Sequence, residues 1–197
     1  MKILLASGNR GKVTELRAIL SEVVPGIEIV GLKDIPAYPE TPETELTFAG
    51  NALLKARDGA KQSGLPCVAD DSGLAVEALN GMPGVLSARW SGLPKDDERN
   101  NRLLLDQLAD VPEGKRQAKF VCAAAIVWPD GRHEVVEADM PGRIGFDEHG
   151  ENGFGYDPLF VADGQEVTNA QLTPEVKNRL SHRGQAFRKL ARHIAGT

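Results

Sequence analysis

The run Ser7-Gly8-Asn9-Arg10-Gly11-Lys12 combines a hydroxyl, two glycines and two cations in six residues. Glycine lets a backbone approach an anion closely, amides at a helix start point toward it, and Lys12 adds a mobile positive charge. It is not a Walker A loop, because its glycines are too close together and Val13 stands where a Ser or Thr would hold magnesium. A tight loop without a ligand has the same composition, so the run alone leaves both readings open. A second group is Asp70-Asp71, with Glu40, Glu43 and Glu45 upstream. Magnesium is a hard cation that takes only one or two protein carboxylates, which this set can supply. The alternative is a turn cap at Ser72-Gly73.

Gly153-Phe154-Gly155-Tyr156-Asp157-Pro158 can offer a ring for stacking on a base and an acid for a polar edge, or can simply anchor a loop into the core. Lys177 and the run Ser181-His182-Arg183 complete the set. A helix start there would favour an anion, and a solvated basic face is the plain alternative. No Ser, His and Asp triad is apparent, and Ser72 has no base near it in sequence.

These residues need elements to position them. Lys2–Ala6 reads as a short buried strand, followed by a helix with Val13, Leu16, Ile19, Leu20 and Val23 on one face and a second strand over Ile27–Val30. Such a unit predicts a right-handed parallel crossover. An alanine-rich helix is predicted over Phe48–Lys61. The apolar strand Cys67–Ala69 is expected to end at Asp70-Asp71-Ser72-Gly73, which places the two acids at a strand's C-terminal end. Asp96–Leu108 reads as a helix, and Lys119–Trp128 with Arg132–Met140 as a hairpin through Pro129-Asp130-Gly131. Thr173-Pro174-Glu175 looks like a helix start, and Ser181 onward carries Phe187, Leu190, Ala191 and Ile194 as a C-terminal helix; Lys177 is expected a turn or more before His182-Arg183, at the start of the last helix.

At 197 residues and 41% hydrophobic the chain can bury one real core, and a single domain over 1–197 is expected. The net charge of -5 and the 5% aromatic content argue against a nucleic-acid partner. An anionic ligand must therefore be held by local devices. Cys67 and Cys122 have no second Cys or His at metal-ligand spacing. The apolar run Ile3–Ala6 is too short for a signal peptide or a membrane span, so a cytoplasmic protein with no membrane partner is expected.

Six stretches, in one order over nearly the whole chain, resemble the inosine triphosphate pyrophosphatase family, also described as dITP/XTP pyrophosphatases. They are Ser7–Lys12, Glu43-x-x-x-Thr47-Phe48-x-x-Asn51-Ala52 with Lys55-Ala56, Ala69–Leu74, Pro83-Gly84 with Ser87-Ala88-Arg89, Gly153–Phe160 and Ser181–Gly184. The resemblance implies an elongated α/β fold with a central mixed sheet, flanking helices, two lobes, a cleft between them and a homodimer. It further implies hydrolysis of ITP, dITP or XTP to the monophosphate and pyrophosphate, with Mg2+ as cofactor. Carried over by residue, Ser7, Gly8, Asn9, Arg10, Gly11 and Lys12 would cradle the triphosphate. Glu43 and Asp71 would hold magnesium, with Asp71 also the general base. Ser72 would touch the substrate; Phe154, Gly155, Tyr156 and Asp157 would hold the base; Lys177, His182 and Arg183 would complete the pocket. The sequence departs from the family's pattern at Glu45, at Asn169-Ala170-Gln171 and at Pro174-Glu175-Val176.

Overall fold

The computed structural model describes residues 1–8 and 10–196, and the side chains of all of these except 10, 11, 12 and 15. The fold is mixed α/β. Its strands are β1 (Lys2–Leu5), β2 (Glu28–Gly31), β3 (Cys67–Val76), β4 (Gln117–Val127), β5 (His133–Ile144) and β6 (Phe160–Ala162). Its helices are α1 (Arg10–Val23), α2 (Phe48–Ser63), α3 (Asp97–Gln107), α4 (Pro174–Leu180) and α5 (His182–Ala195). The strands form one sheet in the order β2-β1-β3-β4-β5-β6. β1 pairs in parallel with both β2 and β3, and β5 pairs antiparallel with β6. The parallel β1-α1-β2 crossover is the one predicted from the apolar pattern.

Two compact units divide the chain. The first comprises residues 1–72, 122–138 and 183–197, and its core follows from strand pleating. Successive side chains point to opposite faces. Ile3, Leu5, Val68, Cys122, Ala124 and Ile126 thus pack with Leu16 and Leu20 of α1 and Phe187 and Leu190 of α5. Leu4, Cys67, Ala69, Ala123 and Ala125 pack on the other face with Ala52, Ala56 and Ala60 of α2. The small residues of α2 bring that helix close: a side chain at Gly59 would overlap Cys67 and press on Leu4. Both cysteines are buried and reduced, as expected of core thiols.

The second unit, 73–121 and 139–182, has its own core of Leu74, Val76, Leu104, Leu108, Phe120, Met140, Leu159 and Phe160. Arg116, fully buried, donates to the carbonyls of Leu108 (2.7 Å), Val111 (3.1 Å), Ile144 (3.0 Å) and Gly145 (2.8 Å). One guanidinium thereby serves four backbone acceptors from separate parts of the chain. Among the described residues no helix is long and apolar enough to cross a membrane.

Two boundaries differ from the sequence reading. β3 does not stop before Asp70 but runs to Val76, so both aspartates lie within the strand. Turn-forming side chains lose here to burial, because Leu74 and Val76 resume the apolar alternation on the far side. Lys177 does not begin the last helix: it lies in α4, which Thr173 caps by accepting from the Val176 amide (3.4 Å), and the chain breaks at Ser181 before α5.

Candidate active site

Because Asp70 and Asp71 are consecutive in β3, the pleat sends them to opposite faces. Asp71 turns toward α2, where Asn51 donates to its Oδ2 (3.1 Å) and Lys55 reaches its Oδ1 (3.4 Å). Asn51 and Lys55 are four apart and share one helix face. Lys55 also holds Glu43 Oε1 at 2.8 Å, so one ammonium joins two carboxylates from distant parts of the chain. The loop carrying Glu43 is tied to α2 at both ends: Thr41 donates to Asp58 (2.8 Å), and the Glu45 amide donates to Asn51 Oδ1 (2.9 Å). Gly50 permits that approach, since a Cβ there would lie 2.7 Å from the Glu45 Cβ. A cavity of about 280 Å3 opens beside the cluster, lined by Tyr38, Thr41, Glu43 and Lys55 among others.

Burial pushes the Asp71 carboxyl above the ordinary carboxylate range; Lys55 opposes this, Glu43 adds to it, and Asn51 opposes it. Burial works against the Lys55 charge too, but Asp71 and Glu43 outweigh it and raise its pKa. The donor set is hard oxygen that converges on a cation, and two carboxylates suit magnesium. Among the described residues no group of three or more His, Cys, Asp or Glu forms a metal cluster, which is the arrangement zinc would use.

On the opposite face of β3, Ser72 donates to Asp70 Oδ2 (3.2 Å), and Arg183 at the start of α5 places Nε 3.6 Å from the same oxygen. The two aspartates are therefore not a joint pair: Asp71 belongs with α2 and Asp70 with α5. His182 and Arg183 also part, as neighbours about 100° apart on a helix must. In the second unit, His182 stacks on Phe120 with centroids 5.1 Å apart and planes within 10°.

The loop 153–158 lies in the second unit. Asp157 is buried and accepts from the Phe154 amide (2.9 Å) and Asn169 Nδ2 (3.3 Å), and it pairs with Lys177. Asn169 thus offers a donor that an acid in its place would lack. Lys177 Nζ also lies 5.1 Å from the centre of the Phe154 ring, which is 53% exposed. Tyr156 is buried and donates to the Ser87 carbonyl (2.8 Å). Gly153 has φ +84, and a Cβ there would overlap the Asp157 carboxylate and come within 2.7 Å of Lys177 Nζ. Gly153→Ala is therefore expected to force this pair apart and raise the nucleotide KM about tenfold, the effect of roughly 1–3 kcal/mol of local strain. Steady-state kinetics checks this; an unchanged KM would show that the loop absorbs the methyl group.

Ser7 and Gly8 follow β1, whose register sets Leu5 beside Val68, so the chain leaves β1 next to the stretch bearing Asp70 and Asp71. α1 then starts at Arg10, and the first four amides of a helix have no partner within the helix itself. Asn9 lies outside the described residues, as do the side chains of Arg10, Gly11 and Lys12. Sequence reasoning attached no role to Asn51, Lys55, Asp97, Asn101 or Asn169. The signal that was available is polarity on a buried face: Asn51 sits beside Ala52 in an alanine-rich helix, and Asn101 three residues before Leu104.

The sequence profile of the Ham1 family matches residues 3–193. A protein of Nocardia farcinica named dITP/XTP pyrophosphatase is 60% identical over 195 residues, covering 98% of this chain and 95% of that one. A crystal structure from Mycobacterium abscessus, named nucleoside-triphosphatase / dITP/XTP pyrophosphatase, is 55% identical with a TM-score of 0.83, over 96% of this chain and 98% of that one. The Ham1 protein of Staphylococcus aureus is 38% identical with a TM-score of 0.91, over 100% of this chain and 99% of that one.

Proposed function

This chain belongs to the Ham1 family, and from that premise we propose that it hydrolyses non-standard purine nucleoside triphosphates, ITP, dITP and XTP, to the monophosphate and pyrophosphate. The observation that carries the reading is Asp71: a buried carboxylate with a raised pKa, oriented by Asn51 and joined through Lys55 to Glu43. A protein that only senses nucleotides has no use for such a base.

Hydrolysis of a phosphoanhydride needs an aligned water, a group to take its proton and positive charge on the departing pyrophosphate. Asp71 accepts the proton. A carboxylate above its ordinary pKa is a better base wherever it is ionised. Lys12, Arg10 and the first amides of α1 offset charge on the phosphates, with Ser7, Gly8, Asn9 and Gly11 shaping the cradle, and Ser72 contacts the substrate. Glu43 and Asp71 would hold Mg2+, which when bound screens the triphosphate and lowers the pKa of its water.

Phe154 stacks on the base, within the loop shaped by Gly155, Tyr156 and Asp157, and Lys177, His182 and Arg183 complete the pocket. Arg183 has only donors, which suit the O6 and N7 acceptors of inosine or xanthine and oppose the amino group of adenine. The same reading includes a cytoplasmic homodimer, and light scattering on the purified protein tests the assembly.

Pyrophosphate release from ITP, XTP, GTP, ATP and dUTP tests the function. Catalytic efficiency on ITP and XTP is expected to exceed that on ATP by about a hundredfold, which a site built to pair one polar edge can deliver. Equal rates on ATP, or orthophosphate in place of pyrophosphate, would sink the reading.

A further inference from the structure

Helix α3 carries two polar residues that the hydrolytic scheme does not use. The Gly155 amide donates to Asp97 Oδ2 (2.7 Å), and the Gly155 carbonyl accepts from Asn101 Nδ2 (3.1 Å). Asp97 and Asn101 are four apart, so one face of α3 grips both polar groups of a single residue. Gly155 has φ +61, a conformation that a free glycine leaves as readily as it enters. Asn101 is buried, and its Oδ1 has no hydrogen-bond partner among the described residues. Its carboxamide is therefore committed to Gly155: an apolar side chain would pack in that position without leaving a buried acceptor unmet. Asp97 lies in the first turn of α3, where the helix dipole alone would favour an acid. Its oxygen nonetheless aims at one amide 58 residues away.

The next residue is held as well. Tyr156 donates to the Ser87 carbonyl, and Asn100 of α3 reaches the Ala88 carbonyl (3.3 Å) and the Ser91 amide (2.7 Å). α3 thus braces both the glycine and the turn that receives the tyrosine. Immediately before Gly155 stands Phe154, whose ring is exposed.

We propose that Asp97 and Asn101 are positioning residues for base binding, which by holding the N–H and C=O of Gly155 set the angle at which Phe154 presents its ring to the purine. The proposal rests on the reading of this loop as the base-holding one. Their effect is on nucleotide affinity, since a ring that wanders must be ordered again at each binding event. They touch neither the phosphates nor Asp71 in this role.

The experiment compares Asp97→Ala, Asp97→Asn and Asn101→Ala with wild type in kinetics on ITP, in inhibition by inorganic tripolyphosphate, and in hydrogen exchange of the loop amides without ligand. Asp97→Ala and Asn101→Ala are expected to raise the ITP KM about tenfold while kcat stays within about threefold and the inhibition constant for tripolyphosphate, which has no base, is unchanged. The Gly155 amide should lose protection in Asp97→Ala. Asp97→Asn keeps an acceptor and is expected to restore most of the affinity, which separates the hydrogen bond from the charge. An unchanged KM, or an equal loss of tripolyphosphate binding, overturns the proposal. Hydrogen exchange on the folded fraction decides the matter should Asn101→Ala prove unstable, because protection of Gly155 that survives in Asp97→Ala also overturns it. Failure of the underlying reading would be seen separately, as wild-type protein that does not release pyrophosphate from ITP.

Discussion

Asparagine at position 71 is expected to cost at least about a hundredfold in turnover, because the amide cannot take the proton of the attacking water and is a poor ligand for a hard cation. The shape is kept, so nucleotide binding should largely survive. Stability should move the other way. The Asp71 carboxyl titrates above the ordinary range in the folded protein, chiefly because it is buried. A group whose folded pKa is raised adds stability while protonated, and that contribution is lost as pH rises through the folded value. Wherever Asp71 is ionised in the folded protein its burial therefore costs stability, and Asp71→Asn removes that cost while leaving Lys55 paired with Glu43. Denaturant melts at neutral pH should find the variant as stable as wild type or more so, and turnover assays should find it nearly dead. A variant with near-normal turnover would end the assignment of Asp71, and one that is both inactive and unfolded would mean that its carboxylate serves the fold.

Wild-type pH dependence follows from the same shift. The base works only when ionised, so the acid limb of kcat/KM is expected at a higher pH than an unperturbed carboxylate would give. A limb in the ordinary carboxylate range would show that another group limits the reaction.

How far the sequence reached depends on how local each signal was. The β1-α1-β2 crossover was legible because Leu16, Ile19 and Leu20 repeat at helical spacing between two short apolar runs, and all three are buried. β3 was cut short because Asp-Asp-Ser-Gly has the composition of a turn, and only the packing of Leu74 and Val76 in the second unit reveals that the strand continues. β6 escaped because three residues cannot display an alternation. Ser181 divides α4 from α5, in keeping with the helix start at Thr173-Pro174-Glu175 and the apolar pattern that begins after Ser181.

The site is split in the same way. That Glu43 and Asp71 belong together came from resemblance to a family, since no spacing rule joins residues 28 apart. The structure supplies the physical link in Lys55, which touches both. Asn51 was visible as an amide on an alanine face, but its partners, Glu45 in a loop and Asp71 in a strand, meet only when the chain folds. The adjacency of Asp70 and Asp71 invited a reading as a pair that pleating forbids, and the adjacency of His182 and Arg183 did so again at a helix start.

Lys55 is where charge, stability and metal dependence meet. Lys55→Met removes the cation that touches both Glu43 and Asp71 and leaves two acids on a partly buried face, at similar length and volume. Three consequences are expected together. The Asp71 pKa rises further, since Lys55 is the strongest influence opposing its rise, so the acid limb of kcat/KM moves to higher pH. Stability falls more steeply than in wild type as pH rises through that range, because the folded pKa has moved up again and the ionised form lacks its partner. Magnesium then takes over the counter-charge. By linkage, a ligand that binds only the folded state raises Tm in proportion to its affinity, so at about pH 8 magnesium should stabilise Lys55→Met more than wild type, and at about pH 5 the difference should shrink. Catalytic efficiency with magnesium present should drop by about one to two powers of ten, while excess chelator should abolish pyrophosphate release by both proteins. Thermal melts at both pH values, with magnesium and with chelator, are read beside the kinetics. If the acid limb stays in place and magnesium shifts both proteins equally, Lys55 is not the counter-ion of Asp71. Turnover that persists in excess chelator would remove the metal from the scheme and leave Lys55 as the cation that joins these carboxylates.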